Sequence, residues 1–206
     1  MISQDDLEEE WLTVYGYPIP GYGASEPWFG PPISPHNPEF DKHLDLLGLC
    51  YEAAIFSTDR STQLGVVLVK DGEPITSTLS CNSFVRDWDP EEHDHERPRK
   101  YSLTEHAERR AIYMAARNGV ATEGLTMYAS WAACADCARA IVESGITTLV
   151  RHSIVDENTE YWNESIALGD RIMEAGGVTV VDVTGYIPGA PPIIRGGKTF
   201  YPDSYA

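Results

Sequence analysis

The sequence predicts a three-layer α/β/α domain built on a mixed, partly parallel sheet. Segments with apolar residues at helical spacing alternate with short apolar runs of strand length. This alternation is typical of α/β domains. A chain of 206 residues is also long enough for one domain with a full core.

The first half of the predicted domain is a helix followed by a hairpin. Residues 40–56 are apolar at helical spacing, and residues 64–69 form a compact strand. Asp71-Gly72 is a hairpin turn signal, so residues 74–80 are predicted to return as the partner strand.

The second half alternates helices and strands. Thr104 is the predicted N-cap of a helix that ends near Asn118-Gly119. The elements predicted after it are, in order, a strand at 125–131, a helix at 134–144, a strand at 147–150, a helix at 161–175 and a strand at 178–183.

Three segments are predicted along the chain: an irregular N-terminal arm at 1–38, the domain at 39–184 and a Gly- and Pro-rich tail at 185–206. Prolines and glycines interrupt regular structure in the arm, yet it is rich in aromatic residues, which disordered linkers lack. We therefore expect the arm to pack against its own domain or a neighbouring subunit. Arm and tail together are predicted to cover a subunit interface.

The chain is strongly acidic, with 15 Lys and Arg residues against 32 Asp and Glu residues and a formal net charge of −17. A field of this sign repels phosphate backbones, which argues against binding of nucleic-acid polymers. A single nucleotide is not excluded, because a few arginines in a pocket can bind one phosphate. No apolar run approaches the roughly 20 residues that span a bilayer, and the acidic N-terminus has no secretory pattern. We expect a cytoplasmic protein without a membrane partner.

Two short motifs point to a metal: His106-Ala107-Glu108 and Cys134-Ala135-Asp136-Cys137. Each lies near the start of a predicted helix, and the i, i+3 spacing puts both thiols on one side of a helical turn. One His and two Cys ligands leave the fourth tetrahedral position of Zn²⁺ open, as catalytic sites require. A helix N-terminus also favours the thiolate form that zinc binds.

Glu108 is the candidate acid–base group. It lies two residues beyond His106, close enough to reach a zinc-bound water without being a ligand. A His-x-Glu combined with a Cys-x-x-Cys is the signature of zinc deaminases. The competing interpretation is a structural zinc site, whose fourth ligand would be His152 or His93.

These motifs and their surroundings resemble the deoxycytidylate (dCMP) deaminase branch of the zinc-dependent cytidine deaminase superfamily. The resemblance covers roughly residues 40–183; beyond the zinc motifs it rests on residues 57–67, 81–83 and 126–131, and on Tyr161, Trp162 and Ser165. It implies a cytidine-deaminase-like fold with a mixed five-stranded sheet and a Zn²⁺ cofactor.

The resemblance also implies hydrolysis of dCMP to dUMP and ammonia, a small-molecule nucleotide as substrate, and a homo-oligomer, either hexamer or dimer. Members of the branch are often hexamers under feedback from dCTP and dTTP. Asn82 matches the position that contacts the sugar hydroxyl, and Trp131, close to the zinc cysteines, is a candidate wall of the pocket. The full set of candidate substrate-binding residues is Asn82, Ala107, Arg110, Ser130, Trp131 and Tyr161.

The sequence departs from the branch around the pocket. Ala133 and Val85 stand where the family has Pro, and Ser83 stands where it has Gly. Arg109-Arg110 follow the His-x-Glu motif, where the family has an apolar residue and then Asn. Arg110 is the candidate phosphate ligand, and the alternative for either arginine is a salt bridge at the surface or at a subunit interface. These departures leave the substrate open, including a 5-substituted dCMP.

Other interpretations also stay open. A second zinc site would combine Cys50, Cys81, His93 and His95, but a polar loop with two buried thiols is favoured over it. A deaminase of nucleosides or nucleic acids would share the zinc motifs, although gripping a polymer requires a basic surface. A non-catalytic zinc protein would need a fourth protein ligand.

Overall fold

A mixed sheet with helices on both faces is the framework of the chain. The computed structural model describes residues 38–153 and 160–204, with side chains for residues 41–153 and 162–204. The chain divides into two units, Met1–Asp41 and Lys42–Ala206, and the second unit contains the sheet. The elements are α1 (Pro38–Ala54), β1 (Gly65–Lys70), β2 (Glu73–Pro74), β3 (Ser80–Cys81), β4 (Ser83–Phe84), α2 (Lys100–Leu103), β5 (Thr104–Glu105), α3 (Ala107–Arg117), β6 (Thr126–Ala129), α4 (Ala135–Glu143), β7 (Thr148–His152), α5 (Glu160–Ala175), β8 (Thr179–Val183), β9 (Ile193–Arg195) and β10 (Lys198–Phe200).

The sheet has the order β2-β1-β6-β7-β8, and the short β3 also pairs with β1. β1 runs antiparallel to β6, with Val67 opposite Tyr128. β6, β7 and β8 are parallel, with Tyr128 opposite Val150 and Val150 opposite Val181. Because β2 and β3 pair with opposite ends of β1, the sheet has five positions across. The predicted mixed α/β/α class is confirmed.

Side chains that alternate along the strands supply two separate packing faces. On one face, Leu68 of β1 and Met127 of β6 belong to an apolar cluster with Ala111 of α3, Ile141 of α4 and Met173 of α5. All five side chains are fully buried. This face therefore fixes the two helices that begin at the predicted metal ligands.

The opposite face packs against α1. The Cys50 thiol donates a hydrogen bond to the Tyr128 carbonyl at 3.3 Å. The Tyr51 hydroxyl lies 2.6 Å from His152 Nδ1, and His152 Nε2 lies 2.8 Å from the Gly185 carbonyl. A carbonyl only accepts, so Nε2 donates and Nδ1 accepts from Tyr51. Burial lowers the pKa of His152 to about 4, and the ring is neutral at pH 7.

The predicted return strand at 74–80 is interrupted. Only Glu73–Pro74 and Ser80–Cys81 pair with β1, and a 3₁₀ turn at Thr76–Thr78 lies between them. The Thr78 hydroxyl accepts the Leu68 backbone N–H at 3.0 Å, in the place of a strand carbonyl. A side chain thus closes the gap that the turn leaves in the ladder.

The predicted N-cap at Thr104 is wrong. Thr104–Glu105 forms β5, which pairs with β4 so that Phe84 lies opposite Thr104. Helix α3 begins at Ala107, and its N-cap is His106. The pairing with β4 holds residues 104–105 extended, so the helix starts two residues later than the sequence pattern suggests.

The Gly- and Pro-rich tail contains the β9–β10 hairpin, which the sequence analysis did not predict. Gly196 and Gly197 form its turn with φ of 58° and 78°, a left-handed region that favours glycine. The Gln63 N–H donates to the Ile194 carbonyl at 2.7 Å, and the Gly197 N–H to the Ser61 carbonyl at 2.8 Å. The tail is thereby joined to the segment that enters β1.

The predicted segment limits at 1–38, 39–184 and 185–206 stay predictions, and the arm lies outside the described residues apart from Pro38. Across residues 38–153 and 160–204, we find no helix with the length and apolarity that crossing a membrane requires.

Gly65 begins β1 where α1 crosses the sheet closely. A Cβ at this position would lie 1.8 Å from the Cys50 carbonyl oxygen. We expect Gly65→Ala to lower the free energy of unfolding by at least about 2 kcal/mol, because the α1 backbone must move. Urea denaturation followed by circular dichroism measures the change.

The matched control is Gly48→Ala within α1, where an added Cβ would meet no atom of the described residues within 4 Å other than those of its own helix backbone and chain neighbours. Ala is the better helix former, so the free energy of unfolding should stay level or rise there. Equal destabilisation by both substitutions would contradict a steric role for Gly65.

Candidate metal centre and substrate cleft

Two helix starts bring the predicted metal donors together. His106 is the N-cap of α3 and Cys134 the N-cap of α4, each with an extended backbone and no side-chain capping hydrogen bond. Their carbonyls accept the first helical N–H groups, from Arg110 at 2.9 Å and Ala138 at 2.8 Å. Neither side chain is engaged in capping its helix, so the imidazole and the thiol remain available for a metal.

The three donor atoms fit one zinc ion. His106 Nδ1 lies 3.5 Å from Cys134 Sγ and 3.4 Å from Cys137 Sγ. All three donor atoms lie within 4.8 Å of one another. Tetrahedral Zn–N and Zn–S bonds of about 2.0 and 2.3 Å require an N···S separation of about 3.5 Å. The two measured N···S distances match this separation, and imidazole nitrogen and thiolate sulfur are donors that zinc binds.

No fourth protein donor joins the cluster within residues 38–153 and 160–204, where it is the one convergent group of three or more His, Cys, Asp or Glu side chains. Both ring nitrogens of His152 bond to Tyr51 and Gly185. His93 lies beside the carboxylates of Glu91 and Asp94. The donor set is that of an open site, and it does not favour the structural-zinc interpretation.

The residues considered for a second zinc site are not gathered into a cluster in the described part of the chain. The buried Cys50 thiol donates to the Tyr128 carbonyl, and burial raises its pKa far above the usual range. His95 packs edge-on against Phe84 at 4.9 Å between ring centroids. Cys50 thus agrees with the favoured interpretation, a polar loop with two buried thiols, whereas Cys81 is only half-buried.

The two thiols differ in acidity. A hydrogen bond from Cys137, opposed by burial and reinforced by His106, lowers the pKa of Cys134 to about 4. Donation of that bond, together with burial, raises the pKa of Cys137 well above its usual range. The metal-free pair therefore holds one thiolate, and metal binding must release the second proton.

Glu108 is buried at the first turn of α3, with only 3% of its surface exposed. Burial raises the pKa of its carboxyl group above the usual value. Its Oε2 atom has no hydrogen-bond partner among the described residues. A buried oxygen of this kind normally has a partner, and a water held at the metal position would supply one.

Arg109 lies beside one of the three metal donors, Cys137. Its Nε donates to Glu105 Oε1 at 2.6 Å, and its Nη1 lies 4.0 Å from Cys137 Sγ, within reach of a weak hydrogen bond to sulfur. It thus puts a positive charge next to a candidate thiolate ligand, in addition to forming the kind of salt bridge that the sequence suggested.

A cleft opens beside the metal donors. Its walls come from the segment before β1, from the stretch leading into α3, from the loop after β6 and from α5. The lining residues are Asp59, Thr62, Leu64, Asn82, Arg97, Lys100, Tyr101, Thr104, His106, Glu108, Trp131, Ala132, Cys134, Trp162 and Ile166. The candidate acid–base group and two of the three metal donors therefore border the cleft directly.

Two of the candidate substrate-binding residues, Asn82 and Trp131, line this cleft. Asn82 Oδ1 accepts the Leu64 N–H at 2.7 Å, and its Nδ2 donates to the Thr62 carbonyl at 2.7 Å. The side chain therefore holds the segment before β1 in place. Its predicted contact with a sugar hydroxyl stays a prediction.

Three other candidates are not among the lining residues. Ala107 and Ser130 are fully buried, and the Ser130 hydroxyl accepts the Gly65 N–H at 3.0 Å. Arg110 donates to the Phe84 carbonyl at 3.1 Å, which directs its guanidinium toward β4. The Tyr161 side chain lies outside the described residues. The predicted substrate contacts of all four stay predictions.

An ion pair lies in the cleft wall. Lys100 Nζ donates to both Asp59 oxygens at 3.0 and 2.9 Å and to the Ser61 hydroxyl at 2.5 Å. Both side chains are less than a tenth exposed. Burial favours the protonated acid, but the hydrogen bonds and charge of Lys100 hold the pKa of Asp59 below its usual value. Both groups are thus charged, and their opposite charges cancel each other locally.

Aromatic side chains line the cleft beside the metal donor His106. The Trp162 ring lies 5.7 Å from the His106 ring and 6.1 Å from the Tyr101 ring, each in an edge-on arrangement. The Arg97 guanidinium lies 5.8 Å from the centre of the Tyr101 ring. Arg97 and Tyr101 were not among the predicted site residues, because the segment around them has no metal-ligand spacing. Their position shortly before the His-x-Glu motif is the one signal they carry.

The α/β/α fold and the His/Cys/Cys cluster define a zinc-binding domain in which the donors from the described residues leave one coordination position open. Residues 41–153, more than half of the chain, match the family described as the cytidine and deoxycytidylate deaminase zinc-binding region. The chain belongs to this family, and its metal cofactor is Zn²⁺.

Similar proteins extend this finding. Deoxycytidylate deaminases of Enterobacteria phages T2 and T4 are each 44% identical over 78 residues, which is 38% of this chain and 38% and 37% of those proteins. The match thus spans about two fifths of these relatives. An uncharacterised deaminase of Aliivibrio fischeri is 28% identical over 125 residues, 61% of this chain and 82% of that protein.

The fold is also similar to solved structures. The dCMP deaminase of cyanophage S-TIM5 in its apo form has a TM-score of 0.55 at 17% identity, over 72% of this chain and 100% of that one. A Thermotoga maritima diaminohydroxyphosphoribosylaminopyrimidine deaminase/reductase has a TM-score of 0.51 at 24% identity, over 70% of this chain and 37% of that one. At these identities the likeness establishes the shared fold, as the sequence predicted.

Arg109 and Arg110 form a matched pair for testing the electrostatics of the zinc site. We expect Arg109→Met to weaken zinc binding about 10- to 100-fold, because a cation beside the Cys137 sulfur is lost. Arg110→Met removes the neighbouring cation, whose bond goes to the Phe84 carbonyl, and should leave zinc affinity within about twofold. Competition with a chromogenic chelator measures both. Equal affinities in the two variants would contradict a role for Arg109 at the metal.

Proposed function

We propose that this chain is a zinc-dependent hydrolase that deaminates a cytosine deoxynucleotide, converting dCMP and water to dUMP and ammonia. The observation that carries the proposal is the buried Glu108 Oε2, without a partner among the described residues and at the same cleft as the metal donors. A carboxylate at this place is suited to move a proton between water and a bound base.

In this proposal His106, Cys134 and Cys137 hold the zinc ion. When bound, zinc supplies a water of lowered pKa at the open coordination position. Glu108 accepts the proton of that water and delivers it to the ring nitrogen of the base, and then assists departure of the amine as ammonia. Its raised pKa suits this cycle, because the group must both accept and donate a proton near neutral pH.

The substrate class is supported by two observations. The T2 and T4 relatives are named deoxycytidylate deaminases, and an S-TIM5 dCMP deaminase of similar fold has been solved in complex with dCMP and dUMP. The cleft also offers aromatic walls from Trp131, Trp162 and Tyr101 together with a cation from Arg97. A base can pack against the aromatic rings while the arginine binds a single phosphate.

The test is ammonia release by the purified zinc-loaded protein on dCMP, dCTP, cytidine, 5-methyl-dCMP and a single-stranded oligonucleotide. We expect dCMP to be deaminated, and turnover of 5-methyl-dCMP would extend the class to 5-substituted substrates. Activity confined to the oligonucleotide, or to the free nucleoside, would overturn the proposed substrate.

Glu108→Gln should keep zinc at one equivalent by mass spectrometry of metals and lower kcat on dCMP roughly 10²- to 10⁴-fold, because the amide cannot carry the proton. The exposed Glu174→Gln on α5 is the control and should match the wild type. Full activity in the Glu108 variant would show that another group carries the proton.

Arg97 is proposed as the phosphate ligand, since Arg110 does not line the cleft. We expect Arg97→Gln to raise the KM for dCMP about 10- to 100-fold, because a charge-assisted hydrogen bond is lost. The kcat/KM for deoxycytidine, which has no phosphate, should change little. Arg110→Gln is the matched control, and the reverse pattern in the two variants would assign the phosphate to Arg110 instead.

A further inference from the structure

The C-terminal hairpin β9–β10 reaches the strand end that leads to the zinc cysteines. Ile194 of β9 accepts a hydrogen bond from the Gln63 N–H and donates its own N–H to Gln63 Oε1 at 2.8 Å. The next residue, Arg195, is 3% exposed and points under the loop that follows β6. A tail predicted from its composition as an irregular segment is therefore part of the packing beneath the cleft.

Arg195 contacts two consecutive residues of that loop. Its Nη2 donates to the Ser130 carbonyl at 3.0 Å, and its guanidinium lies 5.2 Å from the centre of the Trp131 ring. On the hairpin itself, the Phe200 ring centre lies 4.5 Å from the same guanidinium. One planar group thus fixes both the peptide before Trp131 and the indole ring.

Ser130 is held from further directions as well. Its hydroxyl accepts the Gly65 N–H at 3.0 Å, and its own N–H donates to the Gly65 carbonyl at 3.0 Å. The backbone of the loop is thus anchored at Ser130, and Arg195 of the hairpin contacts the indole ring of the next residue, Trp131. Trp131 lines the cleft three residues before Cys134.

We propose that Arg195 is a positioning residue that sets the Trp131 wall of the substrate cleft, so that the C-terminal hairpin takes part in substrate placement. The inference rests on the proposed function for its kinetic consequence. A buried guanidinium is costly to desolvate, and an apolar side chain would fill the same space at lower cost. The planar cation offers what an apolar side chain does not, a directed hydrogen bond combined with ring stacking.

The test compares Arg195→Met with Arg195→Lys in the full-length zinc-loaded protein labelled with 5-fluorotryptophan. Substitution of Trp131 or Trp162 by Phe assigns the two cleft resonances. We expect R195M to keep zinc, to shift or broaden the Trp131 resonance and to leave that of Trp162 in place. The kcat on dCMP should fall about tenfold with KM changed less than about threefold, because a misplaced wall impairs orientation more than binding.

R195K keeps the positive charge but loses the planar guanidinium group. It should show the same shift of the Trp131 resonance with a smaller loss of kcat. Because it is the milder change, it decides the question if R195M does not fold. The matched control is Arg151→Met, which removes a guanidinium of low exposure bonded to Asp170 and Asp182, away from the cleft. It should lower stability but leave the Trp131 resonance and kcat unchanged.

An unchanged Trp131 resonance in both Arg195 variants would overturn the inference, and so would a shifted resonance with wild-type kinetics. Equal effects in the Arg151 variant would show that Arg195 contributes only general packing, and this result would also overturn the inference. If the wild type does not deaminate dCMP, the proposed function fails, and the resonance still decides whether Arg195 positions Trp131.

Discussion

The site depends on one constraint: the first residues of α3 and α4 must meet. Helix α4 follows β6, α3 follows the β4–β5 pairing, and β1 joins the two regions because it pairs with β6 on one edge and with β3 on the other. A one-residue slip of β1 would turn its side chains to the other face and separate the helix starts. Since neither side chain is engaged in capping its helix, His106 and Cys134 can serve a metal while the helix N-termini favour thiolate.

The electrostatics of the cleft differ from those of the whole chain. A net charge of −17 sets the long-range field, which salt screens over about 10 Å. Within the cleft, the charges of Asp59 and Lys100 offset each other at direct contact, and Arg97 adds a cation beside an aromatic ring. Such a site is compatible with one small anionic ligand, while the surrounding surface repels a long phosphate chain. The local arrangement thus reconciles an acidic protein with a proposed nucleotide substrate.

The sequence was informative where structure follows from local spacing. The mixed α/β/α class and the helices after the two motifs were predictable, because helical periodicity and i, i+3 spacing act over a few residues. The convergence of His106 with the cysteines was expected from the zinc-deaminase signature that the two motifs form together. The start of α3 was misplaced because a strand pairing with Phe84, distant in sequence, holds Thr104 extended. Arg195 was missed for the same reason, because its contacts with Ser130 and Trp131 join segments that are distant in sequence, and no periodic pattern records such contacts. Arg97 was missed because the segment around it carries no metal-ligand spacing.

The departures of the sequence from the dCMP deaminase pattern lie around the metal donors, and the structure shows what accompanies one of them. Ala133 stands where the resemblance expects Pro, yet the loop before Cys134 is held by packing from α5. A Cβ on Gly169 would lie 2.8 Å from the Ala133 carbonyl, and the Ser165 hydroxyl accepts the Ala135 N–H at 3.2 Å. Close approach of a helix can restrain this loop where a proline ring would restrain it through φ. Restraint supplied by tertiary contacts lets the walls of the cleft vary while the donors stay in place, and under the proposed function the contacts of α5, the hairpin and the Arg97 segment would set the choice of substrate.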